Sequence, residues 1–255
     1  MILAVIQARM NSTRLPGKVM LPILEKPIIW HIHERLKFVK KINAICISTS
    51  TSKSDDLIAN FANENGIKCY RGDENNLIVR HLGAADFFNA DSIVRINADC
   101  PFVDPEIVDK VISLYEKNSD VDFVSNDKVP TYPFGLNVEL MPKRTLEALL
   151  PISKNPIFYE YFISLYIYEH PEIFTSVGLE LDRPNLLRWT LDYAEDYEFV
   201  KQIYSHLYKP DKVFHMRDIL DLLKEKPDLG KINSMYDTKL AYLKYQDDKK
   251  NQKMD

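Results

Sequence analysis

Short apolar runs alternate along the chain with stretches whose apolar positions recur at helical spacing. ILAVIQ (2–7) is apolar almost throughout, the pattern of a strand buried on both faces. PIIWHIHERLKFV (27–39) then carries a stripe at Ile28, Ile29, Ile32, Leu36 and Val39, one face of a helix. AICIST (44–49) reads as the next strand. SDDLIANFANENG (54–66) reads as a helix that starts on a Ser cap and stops at Gly66. NNLIVRHLGAADFF (75–88) predicts a helix and SIVRINADC (92–100) a strand running into a loop. DPEIVDKVISLYEK (104–117) has an Asp cap followed by Pro at the first helical position, and DFVSN (122–126) is again strand-like. Strand, helix, strand in regular alternation predicts an α/β fold: a mostly parallel sheet with helices on both faces.

After residue 128 the alternation loosens. VPTYPFGLNVEL reads as turns plus a strand, 156–169 as an aromatic-rich helix, and LLRWTLD (186–192) as a strand entering a helix over 194–208. RDILDLLKEK (217–226) predicts a last short helix, and the polar stretch after it reads as a tail. No repeat or low-complexity linker divides the 255 residues. The expectation is one domain over 1–230, with halves at about 1–127 and 128–230, and a tail over 231–255.

Composition narrows the class. A net charge of -4 argues against general nucleic-acid binding, which wants a basic face. Cys46, Cys69 and Cys100 are an odd count without metal-ligand spacing, so the chain reads as reduced and cytoplasmic. MILAVIQARM has no charged region before its short apolar run, and no apolar run approaches membrane-spanning length.

Against that mild acidity, the stretch QARMNSTRLPGK stands out. It carries Arg9, Arg14 and Lys18, and the first carboxylate of the chain comes only at Glu25. The loop leaves the carboxyl end of the first strand, where open α/β sheets bind ligands. Two guanidinium forks and an ammonium suit phosphate oxygens, Asn11, Ser12 and Thr13 add small polar groups, and Gly17 lets backbone approach closely. The alternative is a solvated surface loop. A Walker A loop is excluded, because Gly17-Lys18 is followed by Val19 and no earlier Gly precedes it.

A phosphate site of this kind calls for a divalent cation, so acids at strand ends matter. Asp99 lies at one, and Asp104 already caps the next helix, which leaves Asp99 without that duty. Asp192 in RWTLDYAEDYEF fits a metal ligand and, with Glu195, equally fits a capping box. Two carboxylates with phosphate oxygens and water make an ordinary Mg2+ site. Arg80, taken alone, reads more readily as a solvated helix residue than as a base contact. Cys100 has no His beside it that would make it a nucleophile, and His31 and His33, two apart on a helix, point to different faces. Asp120-Val121-Asp122 matches the DxD of glycosyltransferases but lies at the start of its strand, the wrong edge.

VIQARMNSTRLPGKVMLPI, FANENGIKCYRGDENNLIVRH, DSIVRINADCPFVDPEIVDKVI, DFVSN, TYPFGLNVEL and LRWTLDYAEDYEFVKQIY together resemble the CMP-sugar synthetase-like cytidylyltransferases. The nearest branch is the spore coat polysaccharide biosynthesis protein F type, related to the CMP-KDO and acylneuraminate synthetases. The resemblance runs from residue 1 to about 225. It implies a Rossmann-like fold of nucleotide-diphospho-sugar transferase type, often dimeric. It implies Mg2+-dependent transfer of CMP from CTP to a sugar acid or similar anionic acceptor, with release of pyrophosphate, in surface glycan synthesis. By motif, Arg9, Ser12, Arg14 and Lys18 would hold the triphosphate, with backbone at Ala8 and Gly17 close by. Asp99 and Asp192 would hold the metal, and Arg80 would lie near the cytosine. Phe134, Asn137 and the run YFISLY (161–166) depart from the branch's pattern, in the half where the acceptor is expected. Glu139, projecting from the strand after Gly135, is the candidate acceptor-side residue, with an ordinary exposed strand residue as the alternative. A nucleotide-sugar-dependent glycosyltransferase and a nonenzymatic nucleotide-binding homologue are the competing readings.

Overall fold

A computed structural model describes residues 1–154, 163–183, 185 and 187–236. In chain order it runs β1 (Ile2–Gln7), a small ribbon of β2 (Pro22–Ile23) and β3 (Lys26–Pro27), α1 (Ile28–Leu36), β4 (Ala44–Ser50), α2 (Asp56–Glu64), β5 (Lys68–Gly72), α3 (Leu77–Phe87), β6 (Ser92–Asn97) and α4 (Pro105–Lys117). There follow β7 (Phe123–Ser125), β8 (Glu139–Pro142), α5 (Lys143–Leu149), α6 (Ile163–Glu169), β9 (Ser176–Gly178), α7 (Ala194–Leu207) and α8 (Met216–Glu225). The main sheet has the order β5-β4-β1-β6-β8-β7-β9. It is mostly parallel: among the described strands only β8 runs against its neighbours, β6 and β7.

Alternate residues of the apolar strands face opposite cores. Ala4 and Ile6 of β1 pack with α1, α4, α7 and α8, while Leu3 and Val5 pack with α3, α5 and α6. Both faces are therefore covered, which is why β1, β4 and β6 read as continuous apolar runs. Helix α4 begins as its sequence dictates: Asp104 accepts from the Glu106 N–H at 2.9 Å and Pro105 opens the first turn.

Several expectations need correction. Helix α2 is entered through Asp55, not capped by Ser54, because a short 3-10 turn over Lys53–Asp55 precedes it. LLRWTLD is not a strand: among its described residues, Arg188 makes a single parallel bridge to Phe134. The packed chain also continues past residue 230, since Asn233 is buried. The amino-terminal part of the expected 156–169 helix, Leu186 and the tail from 237 onward lie outside the described residues. No helix among the described residues is long and apolar enough to cross a membrane.

Strand order reverses beside β1, with β4 and β5 on one side and β6 on the other. Gln7 and Asn97, the last residues of β1 and β6, are register partners. The loops after both strands thus open at one switch point of the sheet, the place where such folds take ligands.

Candidate active site

The loop after β1 is pinned at both ends. The Ala8 N–H donates to the Ser48 carbonyl at 3.0 Å, so that donor is already engaged. The Met10 N–H donates to Asp55 Oδ1 at 2.7 Å, and Asp55 Oδ2 accepts from the Ser50 hydroxyl at 2.6 Å. Ser12 Oγ takes the Leu15 N–H at 3.4 Å. Gly17, at φ +71°, gives the left-handed turn that folds the loop back, and its N–H donates to the Met10 carbonyl at 2.9 Å. That reversal sends Lys18 inward, where it is buried.

Lys18 Nζ meets Asp99 Oδ2 at 2.6 Å and Asp192 Oδ1 at 2.8 Å. Arg14 reaches the same Asp192 oxygen at 2.7 Å, from a side chain still 41% exposed. Arg188 takes the other oxygen, Asp192 Oδ2, at 3.2 Å. The two aspartates are brought together by backbone: the Leu191 N–H donates to the Asp99 carbonyl at 2.9 Å. The positive loop that lacks local acids is therefore balanced by acids distant in the chain, and the solvated-loop alternative falls. Burial disfavours charge on Lys18, but Asp99 and Asp192 outweigh it and its pKa is raised. Burial pushes Asp192 up, yet Lys18, Arg14 and Arg188 win and its pKa is lowered. Both groups are charged at neutral pH.

Asp192 does not form a capping box with Glu195. Helix α7 starts one residue later, and Asp196 accepts from the N–H groups of Tyr193 at 3.0 Å and Asp192 at 2.9 Å. The spacing rule was sound; it applies from Tyr193 and lands on Asp196. Asp192 is thereby free for the cluster. Two carboxylates are hard oxygen donors of the kind Mg2+ takes alongside phosphate oxygens, and the lysine ammonium between them shows that the pair accepts a cation. The nearby thiol of Cys100 does not compete, because burial and the Asp99 charge raise its pKa well above the usual range. That protonated, buried thiol is no nucleophile either.

Arg80 is not a solvated helix residue. It is 1% exposed, its Nη1 donates to the carbonyls of Asp73 at 2.8 Å and Glu74 at 3.2 Å, and its Nε has no partner among the described residues. Burial, with Arg9 nearby, lowers its pKa to about 10, so it stays charged at neutral pH. At the switch point Asn97 also has a buried Oδ1 without a partner among the described residues. Among the residues that sequence reasoning missed, Asn97 had one usable signal, a polar side chain ending an apolar strand. Asp196 had one too, the capping-box spacing counted from Tyr193, whereas Arg188 and Asn233 had none that local patterns expose.

Glu139 is not an exposed strand residue. It is buried and pairs with Arg95 at 2.6 Å; burial raises its pKa, held back by that guanidinium. Arg95 Nε in turn donates to Gln7 Oε1 at 2.8 Å. The half-buried acid on that side is Asp127, which accepts from Ser125 Oγ and Tyr168 Oη, both at 2.7 Å, and from Asn137 Nδ2 at 3.2 Å. Asn137 thus holds an acid. Asp122 lies just before β7, at its amino end, and accepts from Thr175 at 2.9 Å, which keeps the DxD at the opposite edge of the sheet. His31 is buried, with Nε2 against the Ile23 carbonyl at 2.7 Å, and serves the core.

With this geometry in view, the similarities are informative. The sequence model of the Cytidylyltransferase family matches residues 3–242. The uncharacterized protein MJ1063 of Methanocaldococcus jannaschii is 33% identical over 239 residues, covering 91% of this chain and 94% of its own. The spore coat polysaccharide biosynthesis protein SpsF of Bacillus subtilis is 30% identical, covering 89% and 95%. A solved cytidylyltransferase from Leptospira borgpetersenii serovar Hardjo-bovis superposes with a TM-score of 0.84 at 34% identity, covering 89% of this chain and 95% of that one.

Proposed function

The chain belongs to the cytidylyltransferase family and is a nucleotidyltransferase, and from that premise we propose that it transfers CMP from CTP to an anionic, carbohydrate-type acceptor with release of pyrophosphate. The observation that carries the reading is the meeting of Lys18 and Arg14 with Asp99 and Asp192 at the switch point. Cations for a triphosphate and carboxylates for its metal then stand within one cluster. The name of the Bacillus relative supports surface polysaccharide synthesis as the setting.

An acceptor oxygen attacks the α-phosphorus of CTP in line, and the bond to the pyrophosphate oxygen breaks. Such chemistry asks mainly for positioning and charge neutralisation. Arg14, the most exposed member of the cluster, swings least buried surface when it turns to the incoming phosphates, and Lys18 follows with its ammonium. Arg9 and Ser12 line the same loop. Asp99 and Asp192 would hold Mg2+, which when bound neutralises phosphate oxygens as a Lewis acid. We assign Arg80 and Asn97 to the base on their chemistry: a buried donor and a buried acceptor, each without a partner among the described residues, suit the edge of cytosine. On the acceptor side, Glu139 acts from beneath through Arg95, and Asp127 is the acid that a bound acceptor would meet.

The test is pyrophosphate release with CTP, UTP, ATP and GTP, each with and without Mg2+, against a panel of sugar acids. Mg2+-dependent release with CTP supports the reading. Release with another nucleotide alone, or none with CTP and any acceptor, overturns it. A thermal shift checks binding separately, since a ligand at about 100 times its Kd stabilises by roughly 2.7 kcal/mol.

A further inference from the structure

Arg188 sits four residues before Asp192 on an extended segment, so no helical periodicity joins them. Its guanidinium nevertheless spans two acids. Nε and Nη2 fork onto Asp196 at 2.9 Å each, and Nη2 also reaches Asp192 Oδ2 at 3.2 Å. Asp196 is fully buried and ties the same corner through the Asp192 and Tyr193 N–H groups. The chain beyond α8 closes this arrangement. Asn233 Nδ2 donates to Asp196 Oδ1 at 2.9 Å and to the Arg188 carbonyl at 3.1 Å. Tyr236 stacks on Tyr193 with ring centroids 4.0 Å apart, and its hydroxyl donates to Glu195 at 2.8 Å.

The consequence concerns which oxygen Asp192 offers. Arg188 holds Oδ2, while Oδ1 is the oxygen that Arg14 and Lys18 share. A carboxylate held on one oxygen by a guanidinium that is itself forked onto a buried acid presents the other in a fixed direction. We propose that Arg188 is the positioning residue that fixes Asp192 as a one-oxygen cation ligand, and that Asn233 locks Arg188 from the carboxyl-terminal segment. The inference rests on the functional reading above, in which Asp192 meets the divalent cation. Residues 231–236, read from sequence as tail, become part of the frame of the active site.

The experiment compares Arg188→Lys and Asn233→Ala with the unaltered full chain by Mn2+ titration in the presence of CTP, read by electron paramagnetic resonance, and by CTP binding without metal. Arg188→Lys keeps a cation beside buried Asp196 but cannot fork across both acids. Asn233→Ala removes the lock and leaves every charge in place. The expected result is weaker Mn2+ binding, by about 10- to 100-fold in Arg188→Lys and toward the lower end in Asn233→Ala. Metal-free CTP binding stays within twofold of the unaltered chain, because Arg14 and Lys18 are untouched. Unchanged Mn2+ affinity in the folded variants overturns the inference. So does a parallel loss of both affinities, which is the mark of general loosening. If the unaltered chain binds no Mn2+ with CTP, the functional reading falls first, and this inference falls with it.

Discussion

Lys18 and the two aspartates show how far one residue's surroundings decide its chemistry. Alone, a loop lysine is a solvated charge; here it is buried and bonded to acids from two other parts of the chain. Asp99 is the more separable of the pair. Its carboxylate is 25% exposed and takes Lys18, which keeps Asp192 as a second anchor. Asp99→Asn is isosteric and leaves that anchor intact. Its stability should therefore fall by about 1–2 kcal/mol, less than the cost of leaving the buried ammonium with no acid. Turnover with Mg2+ and CTP should fall by about a hundredfold or more, the scale for losing a charge-stabilising group at a reacting phosphate. Parallel melting and pyrophosphate-release measurements check this. Full activity in a folded Asp99→Asn removes Asp99 from the metal site.

At the scale of elements, the site depends on how the segment 187–192 docks against the loop before β8. The Phe134 N–H donates to the Leu187 carbonyl at 2.9 Å, and the Trp189 N–H returns to the Phe134 carbonyl at 2.7 Å. Gly135 permits this contact: its φ is +111°, and a Cβ there would lie 2.5 Å from the backbone of Trp189 and Thr190. Gly135→Ala must push that segment away, and Asp192 rides on it. The expected outcome is a loss of about 2–3 kcal/mol, read as a Tm several degrees lower, with turnover reduced even well below the new Tm. An unchanged Tm would show that the loop yields. Much of this element layer was legible beforehand. β1 ends where its apolar run ends, and Asp104-Pro105 marks the start of α4, because both signals are local. The α7 cap was missed by one residue, since Asp192 and Tyr193 both precede a fitting acid and only the fold chooses. Arg188 was missed because its role arises from contacts with Asp196 and Asn233 that no spacing rule encodes. Glu139 was misplaced because strand alternation does not reveal that Arg95 waits on the neighbouring strand.

For the whole molecule, the polar groups under the site set a pH dependence of stability. His81 is fully buried on α3; its Nε2–H donates to Gln7 Oε1 at 3.1 Å, and Nδ1 has no partner among the described residues. Burial, with the Arg95 and Arg80 guanidinium groups nearby, lowers its pKa well below the usual value. Burial likewise lowers His31 and His33. The unfolded chain protonates these rings near pH 6.5, while the folded chain protonates them only at lower pH. In that interval the unfolded state binds more protons, so stability rises with pH. It is fully present above about 6.5 and is lost as pH falls toward the lowered folded values. Glu139 acts in the opposite sense, because its pKa, raised above the ordinary carboxylate range, makes the folded state hold a proton that the unfolded chain has lost. Asp192, lowered, weakens the fold only below that range. From pH 5.5 to 7 three histidines stand against one carboxyl, each group contributing at most about 1.4 kcal/mol per pH unit, so the histidine sign prevails. Tm should climb across this interval and level off near 7. His81→Gln keeps a donor toward Gln7 without a titrating ring, so its Tm profile should be flatter by up to one proton's slope. A flat profile in the unaltered protein, or an equal slope in His81→Gln, would show that the buried ring takes up its proton in the folded state after all.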